Sequence, residues 1–260
     1  MRLHLLVGVL PMLATAAPTA GASSDTQRCS GGSDDKPPAF FLAGDSTTAV
    51  QSSNGGGWGN GFLGFLKSPA WGVNKGHNGA TTVSFVNGGD WAQVLGLVKN
   101  NTAKFDVFVT IQFGHNDQKA AANITMPQFQ ANLVSMAKDV KSLGGTPIIV
   151  TSLTRRTFNG TVLVDSLTDV VTAARAAAGS ANVALLDLNA ASYKYVSAIG
   201  QAAADKYDLV EGDRTHLNDW GSVVFGRIVA DLLVGQKASL GKWIRPNETL
   251  SSLINQGLPA

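Results

Sequence analysis

Hydrophobic positions along this chain switch repeatedly between two patterns. Ala39–Ala43 is an unbroken apolar run, and Phe105–Phe113 is a longer one, interrupted only by Asp106, Thr110 and Gln112. Such runs mark strands covered on both faces, because alternation with polar residues disappears when neither face meets water. Thr146–Thr151 and Asn182–Asp187 read as further strands, and Trp71–Val73 as a short one. Between them, apolar residues recur at helical spacing. Gly61–Lys67 predicts a short helix. Asp90–Lys99 predicts one with Trp91, Val94, Leu95 and Val98 on one face. Pro127–Leu143 starts on a proline, carries Phe129, Leu133, Met136, Ala137 and Val140 as a stripe, and stops at Gly144-Gly145. Leu163–Ala178 and Ala190–Ala204 read as helices. A last helix, capped by Asn218 or Asp219, reaches Val234 with Trp220, Val223, Val224, Ile228, Leu232 and Leu233 as its buried stripe. The pattern weakens over 235–260, which is expected to wrap the surface.

Strand and helix patterns that alternate in this way predict a three-layer α/β fold around a parallel sheet. Such sheets bind ligands beyond the carboxyl ends of their strands, and right-handed crossovers put those ends on one edge. Polar blocks sit at these places. Gly44-Asp45-Ser46 follows the first strand, Gly114-His115-Asn116-Asp117 the third and Arg155-Arg156 the fourth. His77-Asn78-Gly79 lies between, and Asp213-Arg214-Thr215-His216 precedes the last helix.

These blocks contain the parts of a serine esterase. Ester cleavage through an acyl intermediate needs a nucleophile, a base, a carboxylate that orients the base, and donors for the oxyanion. Ser46 supplies a hydroxyl on a strand-to-helix turn, where it also reads as an N-cap with the helix dipole behind it. Asp213 and His216, three apart, can pair carboxylate with imidazole. The Ser46 and Gly79 amides and the Asn116 side chain are candidate oxyanion donors. His77 and His115 are the other candidate bases; His4 belongs to the N-terminal leader. Each block taken alone has a plainer reading as a cap or a polar turn. Gly59-x-Gly61-x-x-Gly64 matches a dinucleotide fingerprint but begins well after the first strand ends, which argues against a nucleotide site. Gly-x-Ser-x-Gly is absent around Ser46, against the α/β-hydrolase elbow. No His or Cys spacing suggests a metal, and no cofactor is expected.

The same residues resemble the GDSL/SGNH hydrolase superfamily, with Ser46, Gly79, Asn116 and the Asp213/His216 pair at its four blocks. Leu42-Ala43-Gly44-Asp45-Ser46-Thr47, Gly57-Trp58-Gly59, Phe113-Gly114-His115-Asn116-Asp117, Thr154-Arg155-Arg156 and Asp213-x-Thr215-His216 are similar to its rhamnogalacturonan acetylesterase branch. The likeness runs from about Phe40 to Leu233. It implies an α/β/α sandwich with a flavodoxin-like parallel sheet and a cofactor-free deacetylase of plant cell-wall polysaccharide. An esterase or lipase on other short-chain esters, or a non-catalytic glycan-binding protein on the same fold, are the alternatives. In one place the chain departs from the branch, which often has Arg after the second-block glycine; here Gly79 is followed by Ala80-Thr81-Thr82. Arg155 and Arg156 are candidates to face an acidic pectic backbone, and Trp58 in the Gly-rich loop 52–61 is a candidate to meet a sugar.

Composition narrows the setting. With 260 residues, 44% hydrophobic, 15% charged and a formal net charge of +2, the chain suits one domain over 39–260 and offers no basic stripe for nucleic acid. Residues 1–22 read as a secretory signal: Arg2, an apolar stretch over 5–17 too short to span a bilayer, and Ala20-Gly21-Ala22 as a cleavage site. Residues 23–38 read as a Ser-, Gly-, Asp- and Pro-rich tail. Sequons at Asn100, Asn123, Asn159 and Asn247 suit a secreted glycoprotein. Cys29 is the only cysteine, so a core large enough to need no disulfide is expected, in an extracellular monomer with no membrane anchor.

Overall fold

Every residue of β1 (Pro38–Gly44) is buried, and its two faces explain the unbroken apolar run. Phe40 and Leu42 belong to one hydrophobic cluster; Ala39, Phe41 and Ala43 belong to another. β3 (Asp106–Gln112) lies beside it and divides in the same way, with Phe108 on the first side and Val107, Val109 and Ile111 on the second. Side chains alternate across a strand, so a strand covered on both sides needs apolar residues at both parities.

β2 (Trp71–Asn74), β4 (Thr146–Val150) and β7 (Ala184–Leu186) complete a sheet of order β2-β1-β3-β4-β7, parallel throughout. Counted within this sheet the order is 2-1-3-4-5, the flavodoxin-like arrangement, and its switch point falls between β1 and β3. α1 (Gly59–Gly64), α6 (Leu188–Ile199) and α8 (Asp219–Gln236) cover the Phe40 face. α2 (Thr82–Asn87), α3 (Asp90–Asn101), α4 (Met126–Ser142) and α5 (Thr168–Ala181) cover the Phe41 face. The protein is therefore an α/β/α sandwich. This computed structural model describes residues 36–260, of which Lys36–Ala260 form one compact unit. The expected secretory signal, nearly all of the tail and Cys29 lie outside the described residues. Among those described, no helix is long and apolar enough to cross a membrane.

Where the elements differ from expectation, the reasons are local. The helix expected from Leu163 starts at Thr168, because Leu163 belongs to β6 (Val162–Leu163), which pairs with β5 (Phe158–Asn159) as a small antiparallel hairpin. The helix expected over 190–204 ends at Ile199. Gly200 has φ +73° and separates α6 from the single turn α7 (Gln201–Ala204). α2 was not expected; it starts in a capping box in which Thr81 and Ser84 bond reciprocally. The C-terminal stretch forms α9 (Glu248–Gln256). Trp220 leaves the stripe assigned to it: it is 49% exposed, and its Nε1 donates to the Ala260 carbonyl.

Two glycines of the pattern set aside as a nucleotide fingerprint, Gly59 and Gly61, have a packing role, whereas Gly64 faces open space. α1 lies so close to α8 that a Cβ on Gly61 would stand 1.9 Å from the Ser222 carbonyl oxygen, and one on Gly226 would stand 2.3 Å from the Phe62 nitrogen. Only glycine permits that approach. Of the four sequon asparagines, Asn100, Asn123 and Asn159 are exposed, whereas Asn247 is half-buried and caps α9 through the Leu250 N–H at 3.1 Å.

Candidate active site

Leaving β1, the chain turns at once. The Asp45 carbonyl accepts from the N–H groups of Thr48 and Ala49 at 3.0 and 3.1 Å, and Asp45 Oδ1 accepts from the Thr47 N–H and hydroxyl at 2.9 and 2.7 Å. A Cβ on Gly44 would stand 2.3 Å from Thr48 Oγ1 and 2.7 Å from the Gln112 carbonyl oxygen, so the turn demands glycine there. No helix follows. Ser46 sits on a bare turn rather than at the expected helix N-terminus, and no helix dipole stands behind it. Burial pushes the Asp45 carboxyl up, but His115 and Thr47 outweigh that and hold it below its ordinary value.

The Asp213–His216 loop meets this turn through His216. Asp213 Oδ1 accepts from the Thr215 and His216 N–H groups at 3.1 and 3.0 Å. Its Oδ2 lies 2.8 Å from His216 Nδ1, and His216 Nε2 lies 2.8 Å from Ser46 Oγ. Burial pushes the Asp213 carboxyl up, but the backbone and imidazole donors outweigh it and hold it below the usual carboxylate range. An ionised carboxylate requires the proton on Nδ1, which leaves the Nε2 lone pair facing the serine hydroxyl. Such a chain can accept the Ser46 proton as Oγ attacks an acyl carbon.

The remaining blocks are tied to these two. The His77 N–H donates to the Gly44 carbonyl at 2.9 Å, which docks the second block on the end of β1. Asn116 is buried, and its Nδ2 donates to the Ala80 carbonyl at 3.0 Å while Lys119 Nζ donates to its Oδ1 at 2.7 Å. One Nδ2 hydrogen remains for another acceptor. Gly79 has φ +75°, the left-handed conformation an Asn-Gly turn favours. Among the described residues, none accepts from the N–H of Ser46 or Gly79. Gly56 closes the ring: its N–H donates to the Ser46 carbonyl at 3.1 Å, and its own carbonyl accepts from the Leu217 N–H at 2.8 Å.

The other sequence candidates go elsewhere. His77 is exposed, with Nδ1 2.6 Å from Asp90. His115 is buried, with Nδ1 3.7 Å from Asp45 Oδ2, too long for a hydrogen bond. Asp117 accepts from the Thr82 N–H and hydroxyl at 2.8 and 2.6 Å, and burial outweighs these donors to raise its carboxyl. Trp58 is wholly buried, its Nε1 on Gln112 Oε1, so it cannot meet a sugar. Arg155 is half-buried, with Nη1 3.1 Å from Ser166 Oγ. Arg156 is fully buried and faces the protein, not a substrate. Sequence reasoning did not identify Gly56 or Asp208, since nothing local marks a residue that acts by docking on a distant backbone. Among the described residues, no group of three His, Cys, Asp or Glu side chains could hold a metal ion.

Residues 42–223 match the model of the GDSL-like Lipase/Acylhydrolase family. The rhamnogalacturonan acetylesterase RhgT of Bacillus subtilis (strain 168) is 29% identical over 189 residues, covering 67% of this chain and 79% of its own. The probable rhamnogalacturonan acetylesterase YesY of the same organism is 27% identical over 182 residues, covering 67% and 81%. Among solved structures, the Bacillus subtilis protein YXIM_BACsu superposes with TM-score 0.67 at 22% identity, over 78% of this chain; the match spans 57% of that longer protein. The acetylxylan esterase Axe2 from Geobacillus stearothermophilus superposes with TM-score 0.57 at 19% identity, over 78% of this chain and 95% of its own.

Proposed function

The chain belongs to the GDSL-like lipase/acylhydrolase family, and from that premise we propose a secreted serine esterase that removes acetyl groups from plant cell-wall polysaccharide, rhamnogalacturonan first. The observation that carries the reading is the Asp213–His216–Ser46 chain, with both links at 2.8 Å. Ser46 Oγ attacks the acetyl carbonyl carbon as its proton passes to His216 Nε2. Asp213 fixes the tautomer and supports the imidazolium that forms. The Ser46 and Gly79 N–H groups and the free Nδ2 hydrogen of Asn116 receive the oxyanion. The tetrahedral intermediate collapses, the C–O bond to the sugar breaks, and the sugar oxygen takes the proton from Nε2. Water then adds to the acetyl-enzyme by the same route and releases acetate.

The choice of polymer draws support from RhgT and YesY, whose names specify rhamnogalacturonan. The leader and sequons support export. Arg155, half-buried in the segment that follows β4, is the remaining candidate to read a uronate. The test is kcat/KM on acetate, butyrate and octanoate esters, and on acetylated rhamnogalacturonan and acetylated xylan at low and high salt. Acetate and rhamnogalacturonan are expected to lead, and the polymer preference to weaken with salt as exposed charges are screened. Faster turnover of octanoate would make the protein a lipase. Equal, salt-indifferent rates on both polymers would remove the pectic assignment and leave the esterase.

A further inference from the structure

Arg156 is fully buried, although it lies in the irregular segment that follows β4. Among the described residues its guanidinium hydrogen-bonds to no side chain of the proposed triad, and Nη1 has no hydrogen-bond partner. Instead, Nη2 donates to two backbone carbonyls, Asp213 at 3.0 Å and His216 at 2.6 Å. Its backbone N–H donates to a third, Arg214, at 2.8 Å. Three of the four carbonyls of the Asp213–His216 segment thus dock on one residue. Its Nε donates to Asp208 Oδ1 at 2.9 Å, while Asp208 Oδ2 has no partner among the described residues. A guanidinium paired for its own sake grips a carboxylate with both forks. This one gives Asp208 a single bond and turns Nη2 to the loop.

We propose that Arg156, anchored by Asp208, is a positioning residue for hydrolysis: it orients the peptide planes on either side of the Asp213–His216 pair so that Nε2 stays in line with Ser46 Oγ. The inference rests on the proposed roles of Ser46, His216 and Asp213. The segment contains no helix or strand of its own; the isolated bridge Asp208–Leu217 lies outside it. Its carbonyl directions therefore depend on outside donors. Lysine would keep the charge but not the planar fork that serves an anchor and two carbonyls at once.

The experiment is Arg156→Lys in the full chain, assayed on 4-nitrophenyl acetate, with the far-downfield imidazole N–H resonance of His216 as a second readout. Misplacing reacting groups by about 1 Å can cost roughly 10²-fold, so kcat should fall about 10- to 100-fold with KM within about twofold and cooperative unfolding retained. The resonance should shift or broaden, which a purely structural role would not cause. A folded variant with wild-type kcat and an unchanged resonance overturns the proposal. If Arg156→Lys does not fold, Asp208→Asn decides. It keeps the guanidinium but removes the charge of its anchor and leaves at most a neutral hydrogen bond, so a smaller fall in kcat at constant KM supports the proposal, and a loss of stability with kcat intact overturns it. Arg175→Lys, at the surface pair with Asp187, is the control expected to leave activity unchanged. Ser46→Ala separates the two failures. If Ser46→Ala remains active, the proposed reaction is wrong; if it is inactive while Arg156→Lys is fully active, only the positioning role is wrong.

Discussion

Ser46 sits on a turn placed by β1, whereas His216 sits on a loop that no strand or helix carries. The turn emerges from a strand buried along its whole length, and Gly44, Asp45, Thr47 and Thr48 around it are all buried. Its geometry comes with the packing of the sheet. The loop is more open: Val210 is 63% exposed, and Asp213 and His216 are half-buried. Its geometry comes from a handful of polar contacts, those of Arg156, Gly56 and the Leu209 N–H, which donates to the His216 carbonyl at 3.1 Å. Ser46 thus sits on a fully buried turn whose hydrogen bonds are sealed from water, and His216 on a half-exposed loop whose hydrogen bonds one substitution can remove. The turn should tolerate polar changes at its tip with its shape intact. The loop should respond to pH and to the loss of single donors.

The largest effect expected is from Ser46→Ala. The Oγ makes one side-chain hydrogen bond, to His216, and the turn is held by Asp45 and Thr47, so urea unfolding should match the wild type. The kcat should fall by roughly 10⁶, the order seen when the nucleophile of such a triad is removed. A variant that unfolds normally and retains near-full activity would detach the turn from the chemistry. Next is Asn116→Ala, which probes the place where turn and loop meet the substrate. Loss of one oxyanion donor lowers kcat by roughly 10²–10³ with little change in KM. A change confined to KM would make Asn116 a residue that holds substrate.

The smallest effect expected is on stability. The Asp213 carboxyl is held below its unfolded value of 3.8 by the donors around it. Near that pH the folded chain therefore binds fewer protons than the unfolded one, and stability falls as pH falls. The contribution is fully present above pH 3.8 and is lost as pH drops through the lower folded-state value. Wild type should then exceed Asp213→Asn in stability at pH 7, with the gap closing in strong acid. Urea midpoints at the two pH values measure it. A gap that persists unchanged in acid would mean that the loop does not depend on this ionised carboxylate.

Sequence legibility divides along the same line. Buried strands announce themselves: Ala39–Ala43 and the run ending at Phe113 could hardly be anything but strands sealed on both faces, and the residues just beyond them were found for that reason. Asp213 and His216 were legible because an i, i+3 pair on a turn is a local pattern. Arg156 was not. Its sequence context is that of a solvated charge pair, and its partners Asp208, Asp213 and His216 lie 52, 57 and 60 positions away. Trp58 was misplaced for the opposite reason. A tryptophan among glycines reads as exposed, yet those glycines let the loop press inward until the ring joins the Phe40 cluster. Trp220 shows the limit of periodicity: it has the right spacing for the α8 stripe but lies in the first turn, where it is exposed and bonds the Ala260 carbonyl.

The Gly56 peptide has a consequence for anyone who would rebuild this surface. One residue holds the Ser46 carbonyl by its N–H and the Leu217 N–H by its carbonyl, and a side chain there would press within 2.4 Å of the Leu217 carbonyl oxygen. Just upstream, Ser52, Ser53 and Asn54 are exposed. Grafted recognition loops therefore have a natural splice site at 53–54, where added length can swing into solvent above the site. The same insertion two or three residues later would break the Gly56 links between the Ser46 turn and the Leu217 end of the loop, so on the proposed roles of Ser46 and His216 it should abolish hydrolysis while the sandwich stays intact.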